Sequence, residues 1–472
     1  MKNTDNTRAE AQGRMSIWTR RQAIKLGAAG VVGGLVAAPL IIEGGQALLN
    51  AFAAGPLPWS AANTILAQTT VPTFPSATFT VTSYGAKGDG KTDNTAAFAK
   101  AISACNKAGG GQVVVPSGTY VTGAIHLLSN VNFHLNSGAT LKFSSDASKY
   151  PVVLTRYEGI ECMNHSPLVY AHDQTNIALT GSGVLDASGT FSWNTGSDRA
   201  GVLEPLVSKP PAQRIVTGKL RVTFVEPYAC TNVLIQGVTL YNPRFWQLHP
   251  TLCKNVTVDG VTTSIGGSQT DGCDPECCDH VVIKNSTIRA GDDNIAMKSG
   301  RDTDGRRINV PTQNVVIWNN KFEGPWGAIT AGSEITGGVQ NVYAYANSTV
   351  GGGTRFVHYS KSNTLRGGFL RNVNIDTFHA NALHGAVVFA NMLYSHQTGH
   401  FPPDFSGPFS LKNITVDSAS QVLDLVGLSN DKLGPFTISN STFNKISNTT
   451  STITNVVKVT YTNVTVNGKK IG

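Results

Sequence analysis

The sequence predicts an all-β chain wound as a right-handed parallel β-helix, with an N-terminal helix capping one end. Three observations carry this expectation. A short phrase, asparagine then valine or isoleucine, recurs at Asn130-Val131, Asn176-Ile177, Asn232-Val233, Asn255-Val256, Asn314-Val315, Asn341-Val342, Asn372-Val373, Asn413-Ile414 and Asn463-Val464, with His280-Val281 standing in once. The closest copies lie about 23 to 25 residues apart. Apolar residues alternate after each copy, as a strand with one buried face requires. Asparagine at a fixed corner accepts a left-handed backbone turn and can bond the asparagine of the next coil. A β-sandwich or a propeller would not repeat one corner residue at coil spacing.

Taken in order, the chain opens with Thr19-Arg20-Arg21-Gln22-Ala23-Ile24-Lys25, then an uncharged, Gly/Ala-rich apolar run to Ile42 and a small-x-small site at Ala51-Phe52-Ala53. This is the pattern of a twin-arginine signal peptide over residues 1–53, which places the mature protein in the periplasm or outside the cell. The run falls short of the roughly 20 apolar residues of a spanning helix, so stable membrane insertion is not expected. Residues 54–78, rich in Pro, Ala and Thr, read as a linker. Residues 79–472 read as a single β-helix domain. Phe79 to Tyr84 reads as its first strand. Thr92 or Asp93 then caps a helix whose Ala97, Phe98, Ala101, Ile102 and Cys105 share one face, and Gly109-Gly110-Gly111 ends it. Such a helix is suited to plugging the open end of a strand stack. Wider gaps between the phrases hold insertions such as Arg301 to Pro311.

Composition narrows the class less. Of 472 residues, 14% are charged and 49 are glycine, which fits ordered, turn-rich material. The formal charge is +8, and removing the first 53 residues leaves 31 basic against 26 acidic side chains. That mild excess suits an acidic polymer and does not by itself select one. Seven cysteines cannot all pair within one chain. Cys273, Cys277 and Cys278, with Asp274 and His280 nearby, match no zinc spacing, so a buried thiol or a local disulfide is the expectation. Gly85 to Thr92 satisfies the phosphate-loop pattern, but no βαβ alternation and no magnesium-binding aspartate strand follow it. We read it as the turn into the cap helix and expect no nucleotide.

The chemistry concentrates in Gln269-Thr270-Asp271-Gly272 and, about one coil later, Gly291-Asp292-Asp293. Stacked coils would bring the three aspartates onto one face, roughly 5 Å apart along the stack. Carboxylates that close perturb one another, so one keeps its proton while another is ionised. That is what cutting a glycosidic bond requires. His249, read as one further coil back, is expected to line the same groove. An asparagine/aspartate turn ladder without chemistry is the plainer alternative.

These motifs resemble glycoside hydrolase family 28, the polygalacturonases and their relatives. The resemblance runs through Phe79–Asp93, Tyr157–Tyr170, Asn242–Pro250, Thr270–Gly300 and Gly332–Asn341, nearly the whole chain after the linker. It implies a pectin-lyase-like solenoid and an inverting hydrolase that needs no cofactor and no metal. The family's Asn-Thr-Asp falls on Gln269-Thr270-Asp271 and its Gly-Asp-Asp on Gly291-Asp292-Asp293. Asp292 would then be the general acid, with Asp271 and Asp293 activating water. The family's Gly-His-Gly histidine falls on Trp326, and its Arg-Ile-Lys on Tyr359-Ser360-Lys361. The lysine survives and the fork-shaped guanidinium does not, which weakens carboxylate recognition at that position. Gln269, His249, Trp326, Tyr359 and Lys361 are accordingly expected to bind substrate. The implied partner is an acidic or pectin-derived polysaccharide, galacturonan or rhamnogalacturonan, bound by a monomer; nucleic acid is not expected. Two other readings stay open, a calcium-dependent lyase on the same scaffold and a non-catalytic glycan-binding β-helix.

Overall fold

The structure is a computed structural model that describes residues 56–472, so the signal expected at 1–53 lies outside the described residues. Leu57–Gly472 forms one unit. Three parallel sheets run along it as the faces of a right-handed β-helix. The longest runs from Thr78–Thr80 to Val459–Val466, and Lys469–Ile471 closes it with its antiparallel pairing. A second face runs from Ile125–His126 through Val225–Tyr228, continues by single bridges at Leu248 and Cys273, and resumes at Ile295–Met297. It then passes through Gly327–Gly332, Phe356–Lys361 and Ala386–Asn391 to Thr452–Thr454. This second face carries the chemistry.

The repeated phrase does what the sequence predicts. Its apolar residue points inward: Val131, Ile177, Val233, Val256, Val281, Val315, Val342 and Val373 stack in register and are at most 2% exposed. Each such burial stabilises the coil by about 1.5–3 kcal/mol. Its asparagine turns the corner with φ between 54° and 62° at all ten positions, His280 included. Asn176, Asn232 and Asn255 each donate to the asparagine one coil earlier, at 2.8–3.1 Å. His280 breaks that ladder and leaves Asn255 Oδ1 without a partner. Asp279 Oδ1 restarts it by accepting from Asn314 at 2.7 Å, and Asn341 and Asn372 continue it.

The cap helix spans Thr95–Lys107 and buries Ala97, Phe98, Ala101, Ile102 and Cys105 as expected. Its N-cap is Asn94 rather than Thr92 or Asp93. Asp93 still contributes, since its Oδ1 accepts from the Thr95 N–H at 3.0 Å. The expected first strand is short, Thr78–Thr80, and continues as a 3₁₀ turn over Val81–Tyr84.

The linker expected at 54–78 is not one throughout. Ser60–Gln68 forms an α-helix whose Ala62 and Ile65 are buried. Trp59 sets its ring 5.5 Å from that of Tyr343 on the outside of the long sheet. Proline and threonine in this stretch masked an apolar side only two residues wide.

Two excursions from the coils frame the second face. Val152–Tyr157 and Ile160–His165 pair as an antiparallel hairpin. The insertion after Arg301 contains a helix, Asp302–Ile308. They are tied together: Asp304 Oδ2 accepts the Glu161 N–H at 2.9 Å, and Asp304 Oδ1 takes Arg214 at 2.7 Å.

Candidate active site

Asp271, Asp292 and Asp293 stand at the entry of consecutive strands of the second face. The bridge Cys273↔Ile295 sets Asp271 directly beside Asp293. One carboxylate oxygen from each of the three lies within 4.8 Å of the others. Asp271 and Asp293 are 3% and 1% exposed, whereas Asp292 is half-buried and reaches the surface of the face.

Each aspartate has a distinct set of partners. Asp293 Oδ2 pairs with Lys361 Nζ at 2.9 Å, and its Oδ1 accepts the Gly327 N–H at 3.0 Å. Position 327 has to be glycine for that approach. A Cβ there would meet Thr330 Oγ1 at 2.1 Å and Tyr359 Cβ at 2.7 Å. Asp292 accepts the backbone N–H groups of Asp293 at 3.0 Å and of Gln269 at 3.3 Å. Asp271 has Lys298 Nζ 3.6 Å away.

Burial first, then the charge of Asp292, pushes the Asp271 carboxyl up to about 8. Burial and the neighbouring Asp293 raise Asp292 as well. Asp274, buried beside Asp271, is pushed well up by its own burial and by Asp271, so this group of acids holds a proton near neutrality. Lys298 stays charged because Glu334 at 3.0 Å, together with Asp271, outweighs its burial.

The expected binding residues divide. Trp326, half-buried, lies one coil beyond Asp292, and its ring stacks on that of Tyr359 with centroids 6.2 Å apart at 11°. Tyr359 is 3% exposed and packs with Phe356 and Phe389 into an aromatic cluster beside the acids. Lys361 is committed to Asp293 and to the face of Tyr359, 4.2 Å from the ring centre. Gln269 gives its side chain to the wall of the site: it donates to Glu158 at the hairpin tip at 2.5 Å and accepts from Arg221.

His249 is a correction. Its coil is offset: Leu248 pairs with Cys273, so His249 stands beside Asp274 and not beside Asp271. It is 0% exposed and lies between Glu276 at 2.9 Å and Glu226 at 3.3 Å. Burial alone would lower it, but the two carboxylates hold it up at about 9. Arg156 of the hairpin completes this buried group with a 2.8 Å bond to Glu276. His249 therefore anchors the hairpin and touches no groove surface.

Sequence reasoning missed Lys298, Glu334, Glu158 and Arg301. Arg301 bonds Glu158 at 3.1 Å and also pairs with Glu334. The available signal was a charge in an apolar strand: Lys298 in Ile295-Ala-Met-Lys298 has no reason to sit there unless it is paired. The partners could not be read, since the hairpin tip approaches from more than a hundred residues away. All seven cysteines are buried free thiols, in line with the buried-thiol expectation.

The three aspartate oxygens are close enough together to chelate a cation, but Lys298 and Lys361 already bring two positive charges to them. That suits acid–base work better than metal binding. Three clustered carboxyls, two of them raised above the ordinary aspartate value, on an open β-helix face are the kind of equipment that glycoside hydrolysis uses. The profile of Glycosyl hydrolases family 28 matches residues 105–357, and the chain belongs to that family. Its structure resembles that of a hyperthermoactive exopolygalacturonase from Thermotoga maritima, with a TM-score of 0.79 and 33% identity over 87% of this chain and 96% of the other. In sequence it is 28% identical to a probable polygalacturonase of Vitis vinifera, over 76% of this chain and 72% of that protein. It is also 29% identical to an exo-poly-alpha-D-galacturonosidase of Dickeya chrysanthemi, over 57% of this chain and 49% of that protein, about half its length.

Proposed function

We propose that the chain is an exported hydrolase that removes residues from the ends of galacturonan-type pectic chains, galacturonan or rhamnogalacturonan, with inversion at the anomeric carbon. The observation that carries this is the three-aspartate cluster in which Asp292 alone reaches the open face. Asp292 donates its proton to the leaving oxygen. Asp271 and Asp293, steadied by Lys298 and Lys361, hold and deprotonate the water. Asp292 takes the acid's part because it is the member of the cluster that reaches the open face; Asp271, raised to about 8, gives up its proton before it serves as base, and Lys298 at 3.6 Å favours the charge there.

Spacing alone does not argue for inversion. Retaining enzymes with two carboxyls hold them roughly 5–5.5 Å apart and inverting ones roughly 6.5–9.5 Å apart. Here one oxygen from each of three carboxylates lies within 4.8 Å of the others, so the two-carboxyl spacings do not decide the matter. Number supports inversion: after one aspartate protonates the leaving group, two anions remain to manage water.

Action at chain ends is supported by the closed side of the face. The hairpin 152–165 packs against the coil of Glu226 and against the coil of Asp271 itself, with Thr155 bonded to Glu226 at 2.7 Å and Arg156 to Glu276. Beyond the cluster the face opens: the column Thr330, Tyr359, Phe389, Asp424, Thr452 runs from buried to exposed. The exo-acting enzymes among its relatives point the same way.

Product analysis tests the reading. Galacturonan and rhamnogalacturonan are expected to release saturated monomers in the presence of chelator, with inverted configuration in the first proton NMR spectra, and Asp292→Asn is expected to release none while keeping its circular dichroism. Unsaturated, calcium-dependent products would replace hydrolysis with elimination. A well-folded Asp292→Asn that still turns over would remove Asp292 from the mechanism.

A further inference from the structure

The guanidinium lost at Tyr359 has a counterpart elsewhere. Coil register runs Asp292, Trp326, Arg355 and Gly385 along one column, because Asp293 pairs in phase with Gly327, Gly327 with Phe356, and Phe356 with Ala386. Steps along that column are about 4.8 Å, close to the length of one sugar ring. Arg355 is exposed, and its guanidinium carbon sits 4.8 Å from the centre of the Trp326 ring and 5.6 Å from that of Phe356. No carboxylate among the described residues forms an ion pair with it, unlike Lys361, which is spent on Asp293. Gly385 keeps the next coil clear: a Cβ there would stand 2.8 Å from Arg355 Cγ.

We propose that Arg355, held against the Trp326 ring, is the carboxylate-recognising residue on the leaving-group side of the cut, so that this side accepts a uronate. The leaving sugar packs its apolar face on Trp326, and its carboxylate, or that of the following residue, takes the guanidinium fork. Contact with the indole limits where the guanidinium can go and reduces the freedom lost on binding. The tryptophan in the family's histidine position and the arginine four residues before the missing one are then one device. This rests on the glycan-hydrolase reading above.

Binding separates the two claims. In Asp292→Asn, trigalacturonate and its methyl ester are titrated by calorimetry, with and without Arg355→Met, while wild-type turnover is followed independently. We expect Arg355→Met to weaken the acid form by roughly tenfold to a hundredfold, the loss of one charge-assisted contact, and to leave the ester within about twofold. Arg355→Lys should recover part of the affinity, and Trp326→Ala should lose as much as Arg355→Met. Equal affinities of Asp292→Asn with and without Arg355→Met would overturn the proposal while leaving wild-type hydrolysis standing. Failure of Asp292→Asn to bind either form would overturn it together with the galacturonate reading, and wild-type turnover on other glycans would show whether hydrolysis survives.

Discussion

Asp271 shows how a single residue trades stability for chemistry. A carboxyl raised on folding binds its proton more tightly in the native state, so ionising it costs stability. The cost is absent below about pH 4, the ordinary aspartate value, and grows until it saturates above the folded value of about 8. Asp271→Asn removes it. The variant should melt about 5 °C above wild type at pH 8, with the gap closing by pH 4. Differential scanning calorimetry across that range checks the sign, and a variant less stable than wild type at pH 8 would mean that Lys298 stabilises the Asp271 charge more than burial opposes it. Individual residues were legible in proportion to their locality. The two acid motifs were plain because they lie a single coil apart. His249 was misplaced because the coil after Leu248 is 25 residues long and the one after Cys273 is 22. Counting 22 back from Asp271 lands on His249, three residues out of register.

Among the elements, the hairpin 152–165 decides how long a chain can lie across the site. It lies outside the coils and is held by Arg156, buried against Glu276 at 2.8 Å. Removing one partner of a buried pair costs about 3–5 kcal/mol. Arg156→Met should therefore loosen the hairpin, and limited proteolysis should nick it between residues 152 and 165 well before the coils. If the hairpin is what closes the face, the product pattern should shift from monomers toward a ladder of oligomers. Monomers alone from a demonstrably loosened hairpin would place the block elsewhere. No sequence period announces this element, because an antiparallel hairpin between coils has the same alternation as the strands around it. The Ser60–Gln68 helix escaped for a related reason, with too few apolar residues for a helical period to stand out.

For the whole molecule, the solenoid was legible because one corner residue and one buried residue repeat nearly to the end of the chain. No described helix is long and apolar enough to cross a membrane. Export, if it follows the twin-arginine route, depends on Arg20 and Arg21 alone among the charges ahead of the apolar run. Replacing both with lysine should strand the activity in the cytoplasm of the expressing cell, whereas the wild-type activity should be found in the periplasm or medium. Unchanged export would point to a different route.

The reach of the hairpin has a consequence for how the molecule can be divided. Arg156 meets Glu276 and Glu161 meets Asp304, partners 120 and 143 residues apart, and the cluster is complete only with Lys361. Everything from 156 to 361 is thus one indivisible cassette, although its coils look interchangeable. Arg366 still reaches back to Asp302 at 2.8 Å, and the centre of the Phe401 ring lies 3.8 Å from the Arg306 guanidinium carbon; past them the chain behaves as rings on a rod. Coils there can be added, shortened or exchanged to lengthen the runway for the polymer, while the cutting edge is inherited whole or not at all.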